Sequence, residues 1–346
     1  MRPVRRARRA PRARRPRRHS RRVRLTRTVV VFVSLVLVTT AVVYGVKSLT
    51  PHHPAADSCQ VVGETTGTVY ALKPAQLVNA SIIADVAMRR GLPEQAVIVA
   101  LATAQQESKL TNLDYGDADS VGLFQQRPSQ GWGSPEQILD PVYSSGKFFD
   151  ALVKVRNWEG LTVAAAAQAV QRSAFPDAYT SWQPLGTALG AALTGLTLTQ
   201  LTCRLGHPGL DVKGAKPASA GSTLASPAAS IAPSSDVPVA TSLVAAVSGL
   251  TSGLATDLQV TAPTVVAHGT KSATITVTGL APLGTGNAAT AQHRTATVAA
   301  WALAHASEGI TSVVVGTQEW RPDRDGWHPT STTAAAGAVI MTVATR

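Results

Sequence analysis

Acidic residues are missing from the first 27 positions of this chain, which hold 14 Arg. The whole chain carries a net charge of +12, which suggests a nucleic-acid partner until this tail is set aside. Removing its 14 Arg from the 32 Lys+Arg leaves 18, against 20 Asp+Glu, so the remaining 319 residues are close to neutral. The basicity belongs to a self-repelling segment, not to a folded surface. No nucleic-acid partner is therefore expected. Cysteine is scarce too: Cys59 and Cys203 are the only two in 346 residues. No His or Cys pair has metal-ligand spacing, which argues against a metal carrier, and neither a metal nor a cofactor is expected. No repeat of period 20–50 occurs, which excludes a solenoid.

The tail is followed by the longest apolar run, Thr28 to Val46, 19 residues without a charge between Arg27 and Lys47. At helical rise it spans ~28 Å, enough for a bilayer core. The Arg excess before it places the N-terminus inside. The expectation is a single-pass protein at the cell membrane, its N-terminus cytoplasmic and its globular mass on the outer face. The tail (1–27) would touch anionic lipids of the cytoplasmic membrane. A cleaved signal peptide is the rival, although the run exceeds the usual h-region and no close A-x-A site follows. Cys59 and Cys203 both follow the run. In an oxidising compartment they either pair or remain buried thiols, and pairing is the expectation.

From Cys59 to about Leu205 the composition is globular, and the apolar periodicity is helical. Helices are expected over Ala75–Arg90, from Pro93 to Leu110, from Asp140 towards Arg156, over Val163–Ser173 and from Pro176 to about Gly195. Residues 206–238, rich in Ala, Ser, Pro and Gly, read as a linker. Residues 239–346 alternate differently. Strands are expected at 272–280, 312–320 and 336–344, with a helix at 297–308. The expected fold class is an N-terminal transmembrane helix (28–46), an all-α domain (59–205), then a small α+β domain (239–346).

The second helix carries an apolar stripe of Val97, Ala100, Leu101 and Ala104, and a further three-residue step reaches Glu107. A carboxyl at that edge, near the helix's negative end, suits proton transfer; a plain solvent-facing Glu is the alternative. Tyr115, Trp132 and Trp158 are candidates to stack on sugar rings, or else core residues. Asp117 and Asp119 either assist a water nucleophile or cap turns. The calcium-loop pattern starting at Asp117 fails at Val121 and Pro128, where oxygen ligands belong.

Gln106-Glu107-Ser108 closes the helix, Gly122-Leu123-Phe124-Gln125 follows, and later comes Val170-Gln171-Arg172-Ser173. In these motifs the chain resembles the soluble lytic transglycosylases and goose-type lysozymes, over roughly residues 75–195. It is also similar to a group of actinobacterial membrane-anchored proteins. The resemblance implies a lysozyme-like helical domain acting on peptidoglycan glycan strands, with Glu107 as the catalytic acid/base. It also implies that Ser108 supports the turn and that Gln125 faces the sugar. The family's Ala-Tyr-Asn element is missing, and Gln168 or Gln171 with Tyr179 stands in its neighbourhood. The implied function is a membrane-tethered, extracytoplasmic glycosidase of lytic transglycosylase type. The alternative is a peptidoglycan-binding protein that has lost catalysis.

Overall fold

The computed structural model describes residues 57–173, 176–205, 241–280 and 288–345. All of them belong to a compact unit spanning Ala55–Arg346. Two short strands, β1 (Ser58–Val62) and β2 (Val69–Leu72), come first. Five α-helices follow: α1 (Pro74–Arg89), α2 (Glu94–Ser108), the single turn α3 (Pro135–Ile138), α4 (Pro141–Leu152) and α5 (Val163–Gln171). A 3-10 segment, Pro176–Trp182, leads into α6 (Gln183–Leu193). Strand β3 (Leu201–Arg204) then returns to β1, giving the antiparallel order β2-β1-β3.

This sheet corrects the expected all-α domain. β1 is only five residues long, and its partner β3 lies some 140 residues away, so no local pattern announces it. Cys59 sits directly opposite Cys203 across the pair, and the two form a disulfide.

The second correction concerns the membrane. Among the described residues no helix is long and apolar enough to cross one. That finding conflicts with the expected single-pass anchor and with the localisation built on it, and both are dropped. The segment Thr28–Val46, on which the expectation rested, lies outside the described residues, as do the Arg-rich tail and the whole linker.

Helix α2 occupies the centre of the helical part. Ala96, Val97, Val99, Ala100, Leu101, Ala102, Thr103 and Ala104 are all buried, so it is enclosed on nearly every side rather than along one stripe. Its alanines let neighbours approach closely. On α6, a Cβ at Gly186 would stand 2.9 Å from the Ile98 carbonyl oxygen, and one at Gly190 would stand 2.8 Å from the Ile98 side chain. These contacts admit glycine and crowd anything larger. Asp140 caps α4 by accepting from the Val142 and Tyr143 amides, and Thr162 caps α5 through the Ala165 amide.

The C-terminal part begins with α7 (Thr241–Asp257). Strands β4 (Thr264–His268) and β5 (Ser272–Val277) follow, then α8 (Ala288–Ala304), β6 (Ile310–Val315), β7 (Gln318–Trp320), β8 (Trp327–Pro329) and β9 (Val339–Ala344). The antiparallel sheet has the order β4-β5-β9-β6-β7-β8. The expected strand at 312–320 is in fact the hairpin β6–β7, turning at Gly316, whose φ of 56° is left-handed. Helix α8 packs against α1, and a buried ion triad joins them. Asp85, fully buried, receives Arg89 Nε at 2.6 Å and Arg294 Nε at 2.9 Å. Elsewhere Thr297 Oγ1 donates to the Leu193 carbonyl, and Trp327 Nε1 donates to the Leu201 carbonyl.

Candidate active site

Helix α2 ends where Lys109 and Leu110 both turn left-handed, at φ 56° and 54°. Glu107 is thereby placed, half-buried, in the last turn. Ser108 Oγ is buried and donates to the Ala104 carbonyl at 3.1 Å and to the Leu123 carbonyl at 2.7 Å. The second of these bonds fastens the helix end to the Gly-Leu-Phe-Gln segment. The segment folds back on itself through an antiparallel bridge between Val121 and Gln126. Beneath it, Phe124 stacks on Phe148 with ring centroids 4.6 Å apart.

Glu107 opens onto a cleft of about 950 Å³. One wall is the loop after α2, with Asp117, Gln125 and Arg127; the other is the ends of α4 and α5, with Lys154, Gln171 and Arg172. Trp132 also lines it, partly buried against the core. Gln125 lies at φ 48°, and its amide donates to the Tyr115 and Gly122 carbonyls at 3.2 and 3.3 Å. Gly116 leaves room for it, since a Cβ there would collide with Gln125 Oε1. Gln171 Nε2 donates to the Phe124 carbonyl at 2.9 Å, bridging the two walls. Each carboxamide therefore commits its nitrogen to backbone carbonyls of the loop wall.

Tyr179 arrives from the 3-10 segment before α6. Its hydroxyl donates to Glu107 Oε1 at 2.7 Å, and its ring is 1% exposed. Burial pushes the phenol well above its ordinary value, and the hydrogen bond to Glu107 and that group's charge push the same way. Tyr179 stays a proton donor throughout the neutral range. It meets the acid itself rather than the cleft surface.

The remaining expected residues are placed differently. Tyr115 is 69% exposed on the loop and is outside the cleft lining; only its carbonyl serves the site, through Gln125. Gln168 is turned away, donating to the Ser173 carbonyl at 2.7 Å and so bracing the end of α5. Trp158 is buried in the core. Asp117 is an exposed cleft residue. Asp119 pairs with Arg127 at 2.8 Å and accepts from the Ser129 amide and hydroxyl. Those partners, Arg127 foremost, hold its carboxyl well below the usual range, so it braces the turn as an anion. No group of His, Cys, Asp and Glu among the described residues is arranged to hold a metal. Reasoning from the sequence missed Gln126 on the loop wall, and also Lys154 and Arg172, whose shared wall arises only by folding.

No family model matches the chain, and no curated protein matches it.

Proposed function

We propose that the cleft cleaves the glycan strand of peptidoglycan by the lytic transglycosylase route, with Glu107 as the acid/base. The observation that carries the reading is the setting of Glu107, a carboxyl on the wall of an open cleft whose Oε1 is already engaged by the Tyr179 hydroxyl. That bond leaves Oε2 as the oxygen that carries the proton. Glu107 gives this proton to the glycosidic oxygen as the C1–O bond breaks. The carboxylate then takes the proton of the sugar's own 6-hydroxyl while O6 closes onto C1. The proton returns to Glu107, no water is consumed, and the product ends in a 1,6-anhydro ring. One protein carboxyl suffices because the substrate supplies its own nucleophile. The carbonyl oxygens of Gln125 and Gln171 accept from sugar hydroxyls, and the Trp132 ring stacks on a sugar face.

A second reading, glycan binding without cleavage, is favoured by the exposure of Asp117, the other carboxylate lining the cleft, which stays in water rather than being desolvated as a second catalytic acid. Incubating the protein with purified peptidoglycan and weighing the products separates the readings. Anhydro ends, lighter by one water than hydrolysed ends, support the transglycosylase. Products with a free reducing end support a hydrolase. Bound but intact strands support the binding protein.

A further inference from the structure

The two walls of the cleft differ in charge. The loop wall carries Asp117, and its arginine, Arg127, is neutralised by Asp119. The wall built from the ends of α4 and α5 carries Lys154 and Arg172 and no acid. Both cations are exposed, and neither forms an ion pair with any described residue.

Arg172 is also held in a conformation that arginine does not favour. It follows the last residue of α5 with φ at 52°, a place usually taken by glycine. Strained backbone of this kind gathers at binding and catalytic sites, and Gln125 across the cleft shares it. The next residue, Ser173, lines the cleft and hydrogen-bonds Tyr179, whose hydroxyl holds Glu107. A ligand group held by Arg172 is therefore in the same cleft as Glu107.

We infer that Lys154 and Arg172 bind a carboxylate of the glycan strand, so that the cleft selects carboxylate-bearing glycans over neutral ones. The inference rests on the glycosidase reading in taking a glycan as the ligand. The guanidinium fork matches a carboxylate in two parallel hydrogen bonds, and the ammonium adds a point charge. Peptidoglycan offers this group in two places: on its peptide stems and, where stems are removed, on the lactyl ether of the sugar.

The test measures binding to three probes: strands with stems, strands stripped to free lactyl carboxylates, and stripped strands converted to carboxamides. The full chain is used in a Glu107→Gln background, so that cleavage is suppressed. Carboxylate strands should bind about 10- to 100-fold more tightly than carboxamide strands, the usual scale of a charge-assisted hydrogen bond. Preference confined to stem-bearing strands would place the carboxylate on the peptide; preference for stripped strands would place it on the lactyl group. Arg172→Gly suits the left-handed backbone, so the fold should hold, and the preference should fall about tenfold. Lys154→Gln should lower it in the same direction. Equal affinity for all three probes, or an unchanged preference in both variants, would overturn this inference and leave the glycosidase reading standing. Failure to bind any of the three would overturn both.

Discussion

Replacing Asp85 with alanine is the most severe single perturbation of the fold. The carboxylate is fully buried, and each oxygen is committed, Oδ2 to Arg89 and Oδ1 to Arg294. Its removal leaves two guanidinium groups facing a void. Arg89 is partly exposed and keeps Gln259 as a partner, so it recovers some hydration. Arg294 is 6% exposed and keeps only the Leu258 carbonyl, so its charge is left uncompensated. Breaking such a buried pair costs about 3–5 kcal/mol. For a unit of this size that lowers the melting temperature by roughly 10 °C. A double variant with Arg294→Met, which removes the stranded charge, should cost less than the two single changes added together. Urea titration of the four proteins gives the coupling directly. A loss under about 1 kcal/mol for Asp85→Ala, or strict additivity in the cycle, would refute the claim that this triad fastens α1 to α8.

Three further outcomes follow from the same structure. Cys59 and Cys203 should resist alkylation until reduced, and Cys59→Ser should cost about 2–5 kcal/mol because the loop it closes is long; free labelling without reductant would contradict this. Tyr179→Phe should lower kcat about tenfold with KM little changed, since the hydroxyl touches Glu107 and not the substrate; the reverse split would make Tyr179 a substrate contact. Burial raises the Asp257 carboxyl above its ordinary value of 3.8, Asp140 adding to the rise while Trp301 and His305 oppose it. The folded state therefore holds that proton more tightly. The stability it contributes is present below 3.8 and is lost as pH rises through the raised value. Asp257→Asn keeps an acceptor for Trp301 Nε1 and should flatten that decline; identical pH profiles for the two proteins would refute it.

Features with a local signal could be read from the chain. Gly91 stops α1, and Asp140-Pro141 opens α4 with the cap and ring that those residues supply. The two cysteines announced a link that the β1–β3 pair then explains. Features made by distant contact could not be read. Helix α7 has Gly249 and Gly253 in its interior, which hide its periodicity. Gly253 is there because the Trp301 ring stands 2.7 Å from where its Cβ would be. Tyr179 lies 72 residues from Glu107, and only the packing of the 3-10 segment on α2 unites them. The same holds for the site's amides. Gln125, Gln168 and Gln171 look equivalent in sequence, yet the fold leaves Gln168 out of the cleft wall. The membrane expectation came from composition in a segment outside the described residues, and the described helices conflict with it.

Catalysis at this site turns on Glu107 moving the proton. Glu107→Gln keeps the shape and leaves an oxygen to accept from Tyr179, so the fold should survive. Digestion of purified peptidoglycan by the two proteins, followed by release of anhydro-ended fragments, measures the difference. The native protein should cleave, and the variant should lose about 10²–10⁴-fold in rate with strand binding retained. Undiminished release of fragments by Glu107→Gln would contradict it.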